Sequence, residues 1–337
     1  MRELPPSSND ASRVFPVADR HAGWLTDDSG RAHNLVMDDQ ELSAKARRLA
    51  AALEPFAGQV YFAPECHAQY VVLGFSASPA ERNGVAMPDG SAYFCSRGSL
   101  LGQVPGELVA AAFAVFNPAA VIPAVTFGWS LTDAMTIGQG RTEGSIAQLT
   151  RILGSAPAGI AQLRDALGRA STALPVAGRP LYAAVLAQEV PDSPIGAAWR
   201  FADRLREYRG DSHTAAWTAA GFDAVEIGLM TELYWGLPLK TYTRSRAWSE
   251  DELDDGIKRL EDRGFIRAGG FTAHGRDERE AIEKCTDRQC RPIVECLGDE
   301  FETVINALTP LAREIRNKHG YPASGPHDIA RRAASQN

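Results

Sequence analysis

The chain is 337 residues long, 45% hydrophobic and 23% charged, with a formal net charge of -7 at pH 7. That composition fits an ordinary globular chain with room for two domains of roughly 150 residues each, and its acidic balance argues against a protein whose main task is neutralising phosphates. The five cysteines are odd in number and irregularly spaced, which fits a reducing compartment better than a disulfide framework, and with no apolar signal core near Met1 a cytoplasmic location is expected.

Residues 1–38 alternate Pro, Ser, Asp, Gly and Arg without periodicity and read as a flexible extension. From Asp39 to Leu53, apolar positions Leu42, Ala46, Leu49, Ala50 and Leu53 recur at helical spacing. Asp38 or Asp39 is available as N-cap, and Pro55 is expected beyond the end. Pro64 suits the first position of a second helix closed by Gly74, which places Glu65, Cys66 and His67 in its first turn. Between Phe75 and Pro105 the chain is rich in Gly, Ser and Pro, and Ala92 to Cys95 reads as a short strand or extended arm. The apolar tract Leu108 to Trp129 approaches membrane-spanning length, but Asn117-Pro118 and Pro123 interrupt it. Two buried helices joined by a Pro turn are expected there, and no membrane contact. Further helices are expected at Glu143 to Leu153, Gly159 to Leu174, Pro180 to Ala187 and Ile195 to Tyr208, so residues 39–195 form a helical domain.

Residues 196–318 read as a second domain, with 319–337 as a tail. Ser249 and Glu252 form a capping box that starts a helix with the apolar stripe Leu253, Ile257 and Leu260, stopped at Gly264. Phe265-Ile266 and Phe271-Thr272 flank Ala268-Gly269-Gly270 as a compact hairpin, and a helix follows from about Arg276 to Pro292 or beyond. Phe301, Val304, Ile305, Leu308, Leu311 and Ile315 keep a helical period around Pro310, a kinked amphipathic helix suited to forming a homodimer.

The densest chemistry lies in Leu205 to His213, where Arg206, Glu207, Tyr208, Arg209, Asp211 and His213 crowd into nine residues between two apolar segments that read as helices. Charges held between buried helices must be paired or face a cavity. Arg209, with Arg206, can present a planar fork to an anion, and Asp211 can orient the imidazole of His213 as an acid/base pair. An ion-pair network, with Asp211 or Ser212 capping the next helix, accounts for the same residues. Tyr208 and Trp217 belong to an aromatic set, with Trp199, Phe201, Tyr234, Trp235 and Tyr242, that could wall a small-molecule pocket or simply fill a core. Glu65 and His67 could join His213 at a metal or substrate, although no spacing supports it, and a helix-start Glu with a core His explains them too. Cys285, Cys290 and Cys296 cannot share one ion on a continuous helix, where the outer two stand about 16 Å apart. There is no Gly-rich phosphate loop after a strand, no G-x-S-x-G and no H-E-x-x-H, so no cofactor is assigned.

The order helix, Arg263-Gly264-Phe265-Ile266, hairpin, Phe271-Thr272-Ala273-His274-Gly275, long helix resembles the recognition helix, wing and following helix of MarR-type winged-helix proteins. More closely, Ala63-Pro64-Glu65, Phe116-Asn117-Pro118, Gly178-Arg179-Pro180-Leu181, Leu205 to His213 and Glu283 to Asp287 resemble a functionally uncharacterised family of actinobacterial helix-turn-helix proteins, over roughly residues 42–318. The resemblance implies a mainly α fold: a helical N-terminal domain, then a MarR-like winged-helix domain with a short β-hairpin wing. It also implies a role in transcriptional regulation. Two departures weaken DNA binding. Arg267-Ala268-Gly269-Gly270 leaves almost no wing tip, and the would-be recognition helix is dominated by Glu and Asp, which repel a phosphate backbone. The expectation is a protein that binds a small organic molecule between its halves, through Arg209, Arg206, Tyr208, Trp217, Glu65, His67 and Asn117. The alternatives are an enzyme of specialised metabolism using His213 and Asp211, and a MarR-like regulator.

Overall fold

The computed structural model describes residues 37–323. The expected extension before Met37 and the tail beyond Ala323 lie outside the described residues.

Helix α1 (Asp39–Gly58) starts where Asp38 accepts the Glu41 amide at 2.8 Å, with Asp39 and Glu41 in its first turn. It continues through Pro55, where the sequence pattern predicts a stop. The last turn is held by tertiary packing: Phe56 and Ala57 are fully buried, and the Trp199 indole donates to the Ala57 carbonyl at 3.2 Å. After a 3-10 turn at Gln59–Phe62, α2 (Pro64–Val72) has Pro64 at its first position and is followed by Gly74 at φ +98°. Strands β1 (Glu81–Arg82) and β2 (Val85–Ala86) make a small antiparallel hairpin absent from the sequence reading. Its signal was Asn83-Gly84, both at positive φ, the dipeptide that favours a tight two-residue turn.

The expected strand or arm at Ala92 to Cys95 is a helix, α3 (Gly90–Gly98), capped by Asp89, whose carboxylate accepts the Ala92 amide at 3.0 Å. Helices α4 (Gly106–Phe113) and α5 (Pro118–Leu131) occupy the apolar tract, and Asn117 caps the second. Among the described residues no single helix is long and apolar enough to cross a membrane; α5 and the next helix, α6 (Ala134–Leu153), meet at a 94° bend. Gly144 lets α6 approach α2 closely, since a Cβ there would stand 2.6 Å from the Cys66 backbone. Helices α7 (Ile160–Thr172) and α8 (Pro180–Leu186) then lead into α9 (Pro194–Ala219).

Helix α9 is the axis of the described chain, packing on α1, α6, α7 and α8. It also corrects the sequence reading: the charged cluster does not separate two helices but lies within one 26-residue helix, so neither Asp211 nor Ser212 caps a following one. Gly210 costs helix propensity, about 1 kcal/mol relative to Ala, yet burial of Leu205, Tyr208, Ala216 and Trp217 on either side carries the helix through.

Beyond it come α10 (Ala224–Tyr234), α11 (Glu250–Asp262), β3 (Ile266–Arg267), β4 (Gly270–Phe271) and α12 (Ala273–Gln289). Both α10 and α11 begin in capping boxes, Asp223 with Glu226 and Ser249 with Glu252. Trp217, Phe222, Leu229, Leu253, Leu260 and Ile282 form the core that joins these helices to α9. Gly275 is required at the start of α12, because a Cβ there would collide with the Phe265 carbonyl oxygen beside the β3–β4 hairpin. The chain breaks at Cys290 into α13 (Arg291–Leu297), and the last helix among the described residues is α14 (Phe301–Asn317), which contains Pro310.

The apolar stripe of α14 expected to meet a second copy is used within the chain. Phe301, Val304, Leu308 and Ile315 are at most 2% exposed, and α14 packs on α1 of the same chain. Beyond residue 318, Tyr321 folds back into the interior and its hydroxyl donates to Glu54 at 3.0 Å.

Candidate functional site

A continuous α9 decides the geometry of the cluster. At about 100° per residue, Arg206, Arg209, Gly210 and His213 fall on one side and Glu207, Asp211 and Thr214 are turned toward another. Residues two apart on a helix do not face each other. The expected Asp211–His213 acid/base pair is therefore not formed.

The His213 Nδ1 lies 3.1 Å from the Thr286 hydroxyl and 3.9 Å from Glu283 on α12. Burial pushes its pKa down to about 4, against the opposing pull of Glu283, so the imidazole is neutral at pH 7. Asp211 accepts the Tyr182 amide at 2.9 Å, in the first turn of α8, and thus caps α8 from a distant part of the chain. Burial pushes the Asp211 carboxyl up to about 7.

Arg206, Glu207 and Arg209 are ion-paired as expected, but in two separate networks that leave out Asp211 and use distant partners. Arg206 Nε donates to Glu54 at 3.1 Å and its Nη1 to Glu207 at 2.9 Å. Arg97, from α3, grips Glu207 with two donors at 2.7 and 3.1 Å, and the Tyr61 hydroxyl donates to the same carboxylate at 3.3 Å. Burial would raise the Glu207 pKa, but Arg97 and Arg206 outweigh it and hold the carboxyl down to about 2. Arg209 reaches the other way, to Glu283 at 2.9 Å and Asp287 at 3.4 Å on α12, while Arg47 of α1 meets Asp287 at 2.7 Å and Glu280 at 2.8 Å. Arg279 completes this second network on Glu283 at 2.7 Å.

Between the two networks, α1, α9 and α13 line a half-open cavity of about 170 Å³. Leu49, Leu53, Ile293 and Val294 form its apolar wall, and Glu54, Arg97, Arg206, Glu207 and Arg209 its polar wall. Arg209 Nε is buried without a hydrogen-bond partner. Of the ligand-binding residues expected from sequence, Arg206 and Arg209 line this cavity.

The others are placed elsewhere. None of the expected aromatic rings lines the cavity. Tyr208 donates to the Gln289 carbonyl at 3.1 Å and stacks edge-on with Tyr182, while Trp217 belongs to the core beneath α10 and α11. Asn117 is a joint: it caps α5, and its amide donates to the Ala247 carbonyl at 3.2 Å and to Glu252 at the start of α11. Glu65 pairs with Arg151 at 2.5 Å, and His67 Nε2 lies 3.0 Å from the Tyr61 carbonyl, its pKa lowered chiefly by burial. Their partners lie outside the α9–α12 network that holds His213, and among the described residues no group of three or more His, Cys, Asp or Glu could hold a metal ion. Cys285, Cys290 and Cys296 are free thiols, the outer two on α12 and α13 and Cys290 at the break between them.

The surface of α11 carries seven carboxylates and two cations. Five of the cations on or near it are engaged: Lys240 with Glu250 and Asp254, Arg244 with Glu250 at 2.6 Å, Lys258 with Asp262 at 2.5 Å, Arg259 with Asp223 at 2.7 Å and Arg263 with Glu226 at 2.9 Å. To reach a phosphate, each would have to leave a carboxylate that then faces the same phosphate.

Compared with known proteins, a helix-turn-helix family model matches residues 46–322, most of the chain. No curated protein and no solved structure matches.

Proposed function

We propose, from the premise that this chain belongs to the helix-turn-helix family whose model spans residues 46–322, that it is a small-molecule-binding protein whose helix-turn-helix element has weakened DNA binding. The observation that carries this reading is the cavity of about 170 Å³ between α1, α9 and α13, with one apolar and one charged wall. An engineered apolar cavity of similar size, about 150 Å³, admits benzene, and a few convergent polar groups on an apolar wall are the usual make-up of a small-molecule site. Arg209 links the cavity to α12, the helix that follows the β3–β4 hairpin, through Glu283 and Asp287. Occupancy of the cavity thereby bears on the family's namesake element.

Native mass spectrometry of the purified chain tests the first half: a stoichiometric retained small molecule, or one acquired from a fragment library, is expected. The second half is tested by fluorescence anisotropy with duplex DNA. The acidic α11 face predicts no binding tighter than the roughly micromolar to 100 micromolar range of non-specific contacts, with a shallow salt dependence. Specific nanomolar binding with a steep salt slope would instead establish a MarR-like regulator, the reading favoured by family membership alone.

A further inference from the structure

Among the described residues, the charges around the polar end of the cavity do not balance. Arg97 and Arg206 line it together with Glu54 and Glu207, and every ion pair between them is satisfied. Behind them, on the 3-10 turn Thr243–Arg246, stands Arg246. Its guanidinium lies over the rings of Phe116 and Tyr242, at 4.6 and 4.4 Å, and donates to the Tyr242 hydroxyl, but it makes no ion pair among the described residues. Burial, with Arg97 and Arg206 adding repulsion, pushes its pKa down to about 10. Among the described residues, the cavity wall itself carries three guanidiniums, Arg97, Arg206 and Arg209, and two carboxylates, Glu54 and Glu207, with Arg246 behind it. The cavity's second polar edge is Arg209, whose Nε has no partner. A buried guanidinium N–H without an acceptor is costly, and an anion entering the cavity supplies an acceptor to Arg209 and negative charge to the cluster.

Accepting the cavity as a ligand site, on which this step rests, we propose that its ligand is a small amphipathic organic acid. Its carboxylate lies toward Arg97, Arg206 and Arg209, and a compact aromatic or branched aliphatic body lies against Leu49, Leu53, Ile293 and Val294. The volume sets the body at about the size of one six-membered ring. The excess of guanidinium sets the sign of the head, and the planar fork of Arg favours carboxylate geometry.

Three near-isosteric probes read the sign directly: benzoate, benzamide and benzamidinium, titrated into the full chain at pH 7 by isothermal calorimetry. Benzoate is expected to bind at least about tenfold more tightly than benzamide, a difference of about 1.4 kcal/mol, with benzamidinium weakest. In Arg206→Lys, which keeps the charge but loses the fork, the benzoate preference should narrow. If benzamide or benzamidinium binds as well as benzoate, the anion inference is overturned while the cavity reading stands. If none of the three binds at about 1 mM, both fall.

Discussion

Glu207→Gln is the most informative substitution at the centre of the charged network. Gln keeps the shape, yet it removes the charge that faces Arg97 and Arg206 and turns an amide donor toward guanidinium donors at 2.7 to 3.1 Å. Glu207 is fully buried, and its carboxyl falls from the ordinary 4.5 to about 2 in the folded chain. At 1.36 kcal/mol per unit that amounts to about 3 kcal/mol of stability, within the range of roughly 3–5 kcal/mol for breaking one side of a buried ion pair. The sign follows from a depressed folded pKa: the contribution is complete above pH 4.5 and is lost as pH falls toward 2. Urea denaturation of wild type and Glu207→Gln at pH 7 should therefore differ by about 3 kcal/mol with an unchanged m-value. The gap should shrink steadily below pH 4.5. A difference under about 1 kcal/mol at pH 7, or one that persists undiminished at low pH, would refute the assignment of Glu207 as the charged centre of a buried network.

Asp211→Asn should act in the opposite direction. Asn still accepts the Tyr182 amide, and it removes a carboxylate whose folded pKa is raised to about 7, so the variant should melt higher than wild type at pH 8 and lose that advantage toward pH 4; a lower melting point at pH 8 would contradict the burial argument. His213, held down to about 4, should show no imidazole protonation by NMR between pH 8 and 5.5, whereas an ordinary histidine titrates near 6.5 across that window. Because its folded pKa is depressed, its neutral form adds stability above pH 6.5 that disappears as pH falls toward 4. Gly275→Ala forces a Cβ onto the Phe265 carbonyl and should cost at least about 2 kcal/mol, read as a lowered urea midpoint; a neutral effect would mean that α12 does not seat tightly against the β3–β4 hairpin.

The sequence displayed its helices where caps and periodicity agreed. Asp38, Pro64 and the Ser249–Glu252 box each mark a helix start that the structure reproduces. It misled where a local breaker was overruled by packing: Pro55 lies inside α1 because Phe56 and Ala57 are buried, and Gly210 lies inside α9 because buried residues continue on both sides. That second error had a chemical consequence. A break at Gly210 would have allowed Asp211 and His213 to meet, whereas an unbroken helix turns them apart. Arg206 and Arg209 were visible as charges needing partners, but Glu54, Arg97, Glu283 and Asp287 come from distant segments of chain, and no local pattern joins them to α9. The i,i+4 spacing of Glu283 and Asp287 on one helix face was the one available hint. The α14 stripe was legible as an apolar face, but period alone does not say whether the partner is a second copy or α1.

Binding at the α1–α9–α13 cavity is tested most directly by comparing wild type with Ala50→Leu, which adds a branched apolar side chain to the cavity wall, in a saturation-transfer NMR screen of small organic molecules. Small acids that bind wild type and are lost in a folded Ala50→Leu variant are the predicted result. The same set of binders in both proteins would contradict the account.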